Sequence, residues 1–467
     1  EDGIRDLVRS RGLGDVYKRQ DEGSTSQVEY GSGAAYGALT VLSSTRMISH
    51  SVLLTGLDPA TTYHFRVRSQ DVAYNETLSD DGTFTTAALD NLYYVNQNHA
   101  QASDDNPGTI DQPWATIQHA ADVAQPGDTI IVYPGDYGRV TIRSGGAPGN
   151  YITFKGLNVP DQSLINPNAR FDPANPVLTP GNPAVNAVTA GFGFARPYGS
   201  TGIIGYVRIE NFEITRIYRP DVGIAGRGGV QLANTEHVQI VRNFIHDLNP
   251  NPSGYDYIGV RADGHANLGT VVKDNTLYRV QGTGISIMGR DWLVEGNALS
   301  HGLDANTDTG AHVGGDSDAV RFFGSGHVIR NNHFRDYLDE EQYGDPHIDC
   351  FQTFAVYPES QFAHDILVEG NVCDNFGQML MVSDNAAGNY VHSLTFRNNV
   401  FRGARAYAFQ GTQAEHLVFV NNVVAESRYG AFGIGNSPYM TILNNIFYNN
   451  GSGAQVNDEA SKVGLVW

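Results

Sequence analysis

Three stretches near the C-terminal end decide the fold: LTFRNNVF (394–401), LVFVNNVV (417–424) and MTILNNIF (440–447). Each is an apolar run that meets asparagine and leaves on a second apolar pair. Asn399, Asn422 and Asn445 stand 23 residues apart. The same text recurs upstream as DILVEGNV, HVIRNNHF, WLVEGNAL, TVVKDNTL, VQIVRNFI and VRIENFEI, adding Asn371, Asn332, Asn297, Asn275, Asn243 and Asn211. The shortest spacings are 22 or 23 residues, and those of 28 to 39 mark coils with inserted loops. A period near 22 suits three short strands and three turns, which is one coil of a parallel β solenoid. Each asparagine is expected to occupy a left-handed bend and to bond its amide to the next one along the stack. At about 4.8 Å per coil, nine coils extend for roughly 40 Å. Leucine-rich repeats would need a helical return that is missing, and a propeller needs about 40 residues per blade. The repeat is still running at Trp467, so a C-terminal cap is expected to be lost.

Composition agrees with a turn-rich β protein: the 467 residues include 53 Gly and 48 aromatic residues (21 Phe, 24 Tyr and 3 Trp), and only 17% are charged.

 Such a chain has enough apolar and aromatic side chains to fill a core, unlike a disordered one. The formal net charge of −20 argues against a nucleic-acid partner, which needs a basic face. A polyanionic substrate then requires a local basic groove. After residue 90 the only lysines are Lys155, Lys273 and Lys462. The two cysteines, Cys350 and Cys373, are too few for a disulfide framework, and Cys350 is read as an inert thiol. No apolar run of about 18 residues is present, so no membrane span is expected.

Residues 1–20, EDGIRDLVRSRGLGDVYKRQ, lack periodicity and resemble translated sequencing-adaptor sequence of the kind found at the ends of metagenomic gene fragments. They are set aside as a non-native extension. Residues 21–88 alternate apolar and polar in short runs between turns, as an antiparallel sandwich does. Within them GLDPATTYHFRV resembles the E–F corner of a fibronectin type III domain, which implies that Tyr63 bonds back to backbone near Leu57. About 65 residues stand where such a domain has about 100, so a truncated domain is expected. From 91 onwards an amphipathic helix around Trp114–Ala124 and a strand at Thr129–Tyr133 resemble the helix-capped opening of secreted pectate-lyase-like and chondroitinase-like proteins. That resemblance implies a right-handed parallel β-helix over 91–467, a secreted or cell-surface location and a monomer. The overall class is all-β.

The interior of a β-helix is filled, so function belongs on its outer face. A second ladder, GGVQLA, IGVRAD, GISIMG, DAVRFF, DCFQTF, QMLMVS, YAFQGT and AFGIGN, supplies that face. Aligned, it turns Val230, Val260, Ile285, Val320 and Phe351 inward and Gln231, Arg261, Ser286, Arg321 and Gln352 outward. The longest insertions fall beside the polar middle coils, as a binding groove requires. There GGDSDAVRFF supplies Asp316, Asp318 and Arg321, and QYGDPHIDCFQTF supplies Tyr343, Asp345, His347, Asp349 and Gln352. Register stacks Asp349 on Asp318, His347 on Asp316 and Gln352 on Arg321. Two carboxylates about 5 Å apart repel, so each needs a proton, a cation or a metal.

QYGDPHID is similar to the tyrosine–glycine–residue–aspartate–proline–histidine motif of the mannuronan epimerases. The resemblance implies Tyr343 as acid or base, His347 as its proton-transfer counterpart and Asp345 as a carboxylate partner. One residue is missing between Gly344 and Asp345, and no catalytic lysine stands nearby. The expected activity is proton abstraction from a uronate-containing polysaccharide, by a lyase or an epimerase. Arg321 or Arg261 would neutralise the sugar carboxylate, and Gln352 and Asp316 would bind the sugar. Calcium held by Asp316, Asp318 and Asp349 is the alternative neutralising group. The loop DANTDTG, with Asp304, Asn306 and Asp308, reads as an Asn/Asp turn because it lacks the glycine and glutamate of an EF-hand. An inverting hydrolase would use Asp316, Asp318 and Asp349 as acid and base, although the polygalacturonase motif set is absent. A non-catalytic adhesion protein is the third expectation.

Overall fold

The computed structural model describes residues 13–55, 57–58, 61–71, 74–86, 91–158, 188–195, 202–215, 228–248, 258–264, 266–280, 282–302, 317–337, 347–354, 362–383, 391–454, 456 and 459–466. The chain divides into two compact units, Glu1–Tyr93 and Tyr94–Trp467.

The first unit is an antiparallel sheet of six strands built on Leu13–Gly31, which pairs with Ala38–Leu39, Ser43–Thr55 and Thr62–Gln70. The alternation in Thr62–Gln70 works as a strand with one wet face should: Tyr63, Phe65 and Val67 turn inward and join Val28, Leu54, Leu57 and Phe84. Tyr63 Oη accepts the Asp58 backbone N–H at 2.9 Å, closing the corner beside Leu57. Residue 20 does not bound this sheet, because Leu13 to Arg19 pair in register with Thr55 to Ser49.

In the second unit each full coil contributes three short strands. Gly228–Ala233, Ile258–Asp263, Ile285–Ile287, Val320–Phe322, Asp349–Phe354, Gln378–Ser383, Tyr407–Thr412 and Gly430–Gly435 pair in parallel as one row, here called the groove row. A second row runs from Val207–Glu210 through Val328–Arg330 to Thr441–Leu443. The third runs from Glu213–Ile214 through His333–Arg335 to Ile446–Tyr448. The inward alignment holds: Val230, Val260, Ile285, Val320 and Phe351 are all 0% exposed. The opening helix is Ile117–Val123, capped by Thr116, whose hydroxyl accepts the His119 N–H. It starts later than the apolar pattern implied, because Trp114 bridges to Val95 and donates its Nε1–H to Asn106 O at 2.7 Å.

The asparagine column lies between the second and third rows. From Asn243 through Asn275, Asn297, Asn332, Asn371, Asn399 and Asn422 to Asn445, each backbone N–H and side-chain amide donates to Oδ1 of the next asparagine. Two expectations need correction. The left-handed residue is the one before each ladder asparagine, such as Arg242, Asp274, Asn331 and Asn398. Asn211 is itself such a residue (φ 63°), so it aligns with Arg242 rather than Asn243, and Phe212 takes the ladder position. The cause is geometric: the ladder residue must aim its amide along the axis, and the bend that permits this precedes it.

The cysteines also differ from expectation. Cys350 and Cys373 are fully buried and disulfide-bonded, joining Asp349–Phe354 of the groove row to Val372–Phe376 of the third row. Neither is a free thiol.

Candidate functional site

Parallel pairing fixes the outward side chains of the groove row. Gln231 pairs with Arg261, Arg261 with Ser286, Ser286 with Arg321, and Arg321 with Gln352. The sequence-aligned row is therefore one column. Asp318 and Asp349 lie at the entry to their strands, one coil apart, and the Asp349 backbone N–H donates to Asp318 Oδ1 at 3.3 Å.

Asp318 is 0% exposed. Its Oδ2 accepts from Arg321 Nε at 3.1 Å and from Arg321 Nη2 at 2.5 Å. A buried carboxylate needs such a cation, since desolvation of an unpaired charge costs several kcal/mol. The guanidinium in turn sits 5.6 Å from the Phe354 ring centroid, in cation–π range. Asp349 is 1% exposed and accepts from Gln352 Nε2 at 3.1 Å. His347 stands over it, with Nδ1 3.9 Å from Asp349 Oδ2 and a side chain 56% exposed. That separation is an electrostatic contact, longer than a hydrogen bond.

The structure thus brings together Asp318, Arg321, His347, Asp349 and Gln352. Arg261 is apart from them, two coils toward the N-terminus, and its Nε donates to Asp263 Oδ1 at 2.6 Å. Asp316, Tyr343 and Asp345 lie outside the described residues, as do Asp304, Asn306 and Asp308. Among the described residues no three His, Cys, Asp or Glu side chains gather as a cation site. At Asp318 the neutralising partner is Arg321. Lys155 is no groove base, being buried beside Glu210 in the second row at 3.4 Å.

Sequence reasoning missed three features. Tyr337 is fully buried, and burial, then the charge of Asp318, push its phenol far above the ordinary range. Arg139 reaches across the bare Gly193 to Gln231 Oε1 at 2.7 Å, and Gln231 bonds Asp263. Gln378, paired with Asp349, continues the carboxylate column C-terminally. Gln378 opens the segment QMLMVS, so the alignment already held that signal. Arg139 lies on Gly135–Ile142, upstream of the aligned ladder, and gave none.

The comparisons bear on fold. Residues 5–86 match the family model described as the purple acid phosphatase N-terminal domain, and residues 257–424 and 385–464 match the right-handed β-helix region. No curated protein matches the chain. A family 28 exopolygalacturonase of Yersinia enterocolitica is similar at 15% identity, covering 96% of this chain and 95% of that one, with a TM-score of 0.52. The A-module of an Azotobacter vinelandii mannuronan C-5 epimerase is similar at 12% identity over 79% and 98%, with a TM-score of 0.42. A Streptococcus pneumoniae surface protein and adhesin is similar at 12% over 78% and 98%, with a TM-score of 0.43. From its strand register, its asparagine ladder, the right-handed β-helix match and the fold shared with the exopolygalacturonase, the chain is a right-handed parallel β-helix protein with an antiparallel β module at its N-terminus.

Proposed function

We propose that this protein acts on an acidic, uronate-containing polysaccharide by abstracting the proton beside the sugar carboxylate. One observation carries the reading: the exposed His347 imidazole stands beside the buried Asp349, next to an Arg321 anchored on the buried Asp318. Proton abstraction there needs a cation on the sugar carboxylate and a base at the C5 hydrogen. Arg321 supplies the cation and His347 the base. Asp349 stabilises the imidazolium that forms, and apo separations of this kind shorten when substrate binds. The electron pair of the C5–H bond moves onto the carboxylate. In a lyase it then forms the C4=C5 double bond as the C4–O bond breaks, and the leaving oxygen takes a proton. In an epimerase a proton returns to C5 from the opposite face. Tyr343 is the proposed acid, with Asp345 its carboxylate partner.

Burial supports this over hydrolysis. An inverting hydrolase needs both carboxyl groups at the scissile bond, and Asp318 and Asp349 are 0% and 1% exposed. The Cys350–Cys373 bridge supports an oxidising, extracytoplasmic location. Among the described residues no helix is long and apolar enough to cross a membrane.

Incubation with alginate, pectate and chondroitin tests the proposal, followed by ultraviolet absorbance of the unsaturated uronate and by reducing-end release. A lyase raises both. Reducing ends without absorbance mean a hydrolase, and binding without either change or C5 inversion means an adhesion protein.

A further inference from the structure

The groove changes chemistry on the C-terminal side of Asp349. Asp349 pairs with Gln378, and the same register carried one coil on brings Tyr407 level with Gln378. Tyr407 then pairs with Gly430. The outward column runs in parallel from Gln352 to Met381, Gln410 and Gly433. None of these groove positions is charged. On the N-terminal side the corresponding positions include Arg261, Arg321, Asp318 and Asp349.

Gly433 provides the floor of the uncharged end. A Cβ built there would meet Tyr407 Cδ2 at 2.5 Å, so the Tyr407 ring lies across the outer face where a side chain would otherwise stand. Tyr429 packs edge-on to it, with ring centroids 5.9 Å apart, and is 50% exposed. The Arg428 guanidinium sits 5.4 Å from the Tyr429 centroid. Beside them Gln378 Nε2 donates to Gln410 Oε1 at 3.2 Å, while Gln378 Oε1 meets no hydrogen-bond partner among the described residues. Two coils separate Tyr407 from Asp349, about 10 Å along the groove.

We propose that Tyr407 and Tyr429 form a stacking subsite for an uncharged pyranose face, on the same bound polysaccharide two coils from Asp349. A tyrosine ring is suited to this, with its apolar body against the C–H face of a sugar and its hydroxyl in water. The Gln378–Gln410 amides then meet sugar hydroxyls. The subsite reads ring shape through its two tyrosines, with Arg428 engaged on the Tyr429 ring, and leaves the reacting unit's carboxylate to Arg321, so it fixes the direction in which the chain lies. This inference rests on the reading that the groove takes a polysaccharide.

Affinity electrophoresis tests it, using the whole chain in gels containing alginate, polygalacturonate, chondroitin or xylan. The wild type is retarded by at least one polymer. Tyr407→Ala and Tyr429→Ala weaken that retardation about 3- to 10-fold in apparent Kd, the range expected for one aromatic contact, and Tyr407→Phe stays near wild type. Thermal unfolding of each variant verifies the fold. Retardation of both alanine variants equal to wild type overturns the subsite, as does a wild type retarded by no polymer. Unchanged retardation with normal turnover sinks the subsite and leaves the reaction standing. Loss of retardation in the alanine variants, with no C5 chemistry on any polymer, keeps the subsite and sinks the reaction.

Discussion

His347 Nδ1 lies 3.9 Å from Asp349 Oδ2, pairing an imidazole that is more than half exposed with a carboxylate that water hardly touches. Its neighbour repeats the arrangement, since Arg321 reaches the groove from the buried Asp318. Each buried acid therefore serves a group nearer the surface. In the proposed reaction those two outer groups meet the substrate.

Removing Arg321 should strand a buried charge. Arg321→Ala is expected to destabilise the fold by about 3–5 kcal/mol, the cost of breaking a buried pair from one side. The double variant Asp318→Leu/Arg321→Met should recover most of it. Urea unfolding of the three proteins reads this, and a double variant as unstable as the single would contradict the pairing.

The disulfide closes a segment with 23 residues of sequence separation, and Cys350 is adjacent to Asp349. Replacing both cysteines by serine is expected to cost about 3 kcal/mol on the loop-entropy scale. Turnover should fall as well, because the strand that carries Asp349 loses its anchor to the third row. A thermal midpoint and rate insensitive to reductant would argue against this.

Much of this was legible from the amino-acid sequence, for a physical reason. A β-helix repeats the same demand every coil, so apolar runs and asparagines recur, and aligning them returns the register that stacks Gln352 on Arg321. The one-residue slip at Asn211 shows the limit. Its coil has an asparagine in the bend instead of the ladder, and composition alone does not distinguish them. Burial of Asp318 and Asp349 was not legible either, because strand alternation stops at a strand entry. Nor was the bridge between Cys350 and Cys373, since it depends on two rows of the solenoid facing across the interior.

The ladder predicts a gradient of cost along the solenoid. Asn332 accepts from Asn297 and donates to Val294 O and Asn371 Oδ1, all buried. Asn332→Ala should cost roughly 3 kcal/mol by leaving these groups unmet. Asn445→Ala should cost clearly less, since Asn445 is only partly buried. Equal unfolding midpoints for the two variants would count against the ladder as a central support.

Two buried histidines should give opposite pH responses. Burial lowers the His327 pKa to about 4, against which its bond to Phe323 O acts only weakly. The unfolded chain then binds the extra proton first, so this stability is present above about pH 6.5 and is lost as pH falls toward 4. For His246 burial also opposes the charge, but hydrogen bonds to Asp247 and Glu213 outweigh it and the pKa is raised. Its contribution is complete below about pH 6.5 and is lost as pH rises through the folded value. Thermal midpoints of His327→Phe should become less acid-sensitive than wild type, and those of His246→Gln less alkali-sensitive. The reverse pattern would refute the assignment.

Isotope exchange at C5 tests the central claim most directly. The protein is incubated in D2O with alginate, pectate or chondroitin, and the products are read by NMR. Proton abstraction by His347 predicts either a C4=C5 product lacking the C5 hydrogen or deuterium at C5 of an inverted unit. It also predicts a loss of at least about 100-fold in His347→Ala. Products that keep their original C5–H, or a His347→Ala variant as active as wild type, would contradict the account.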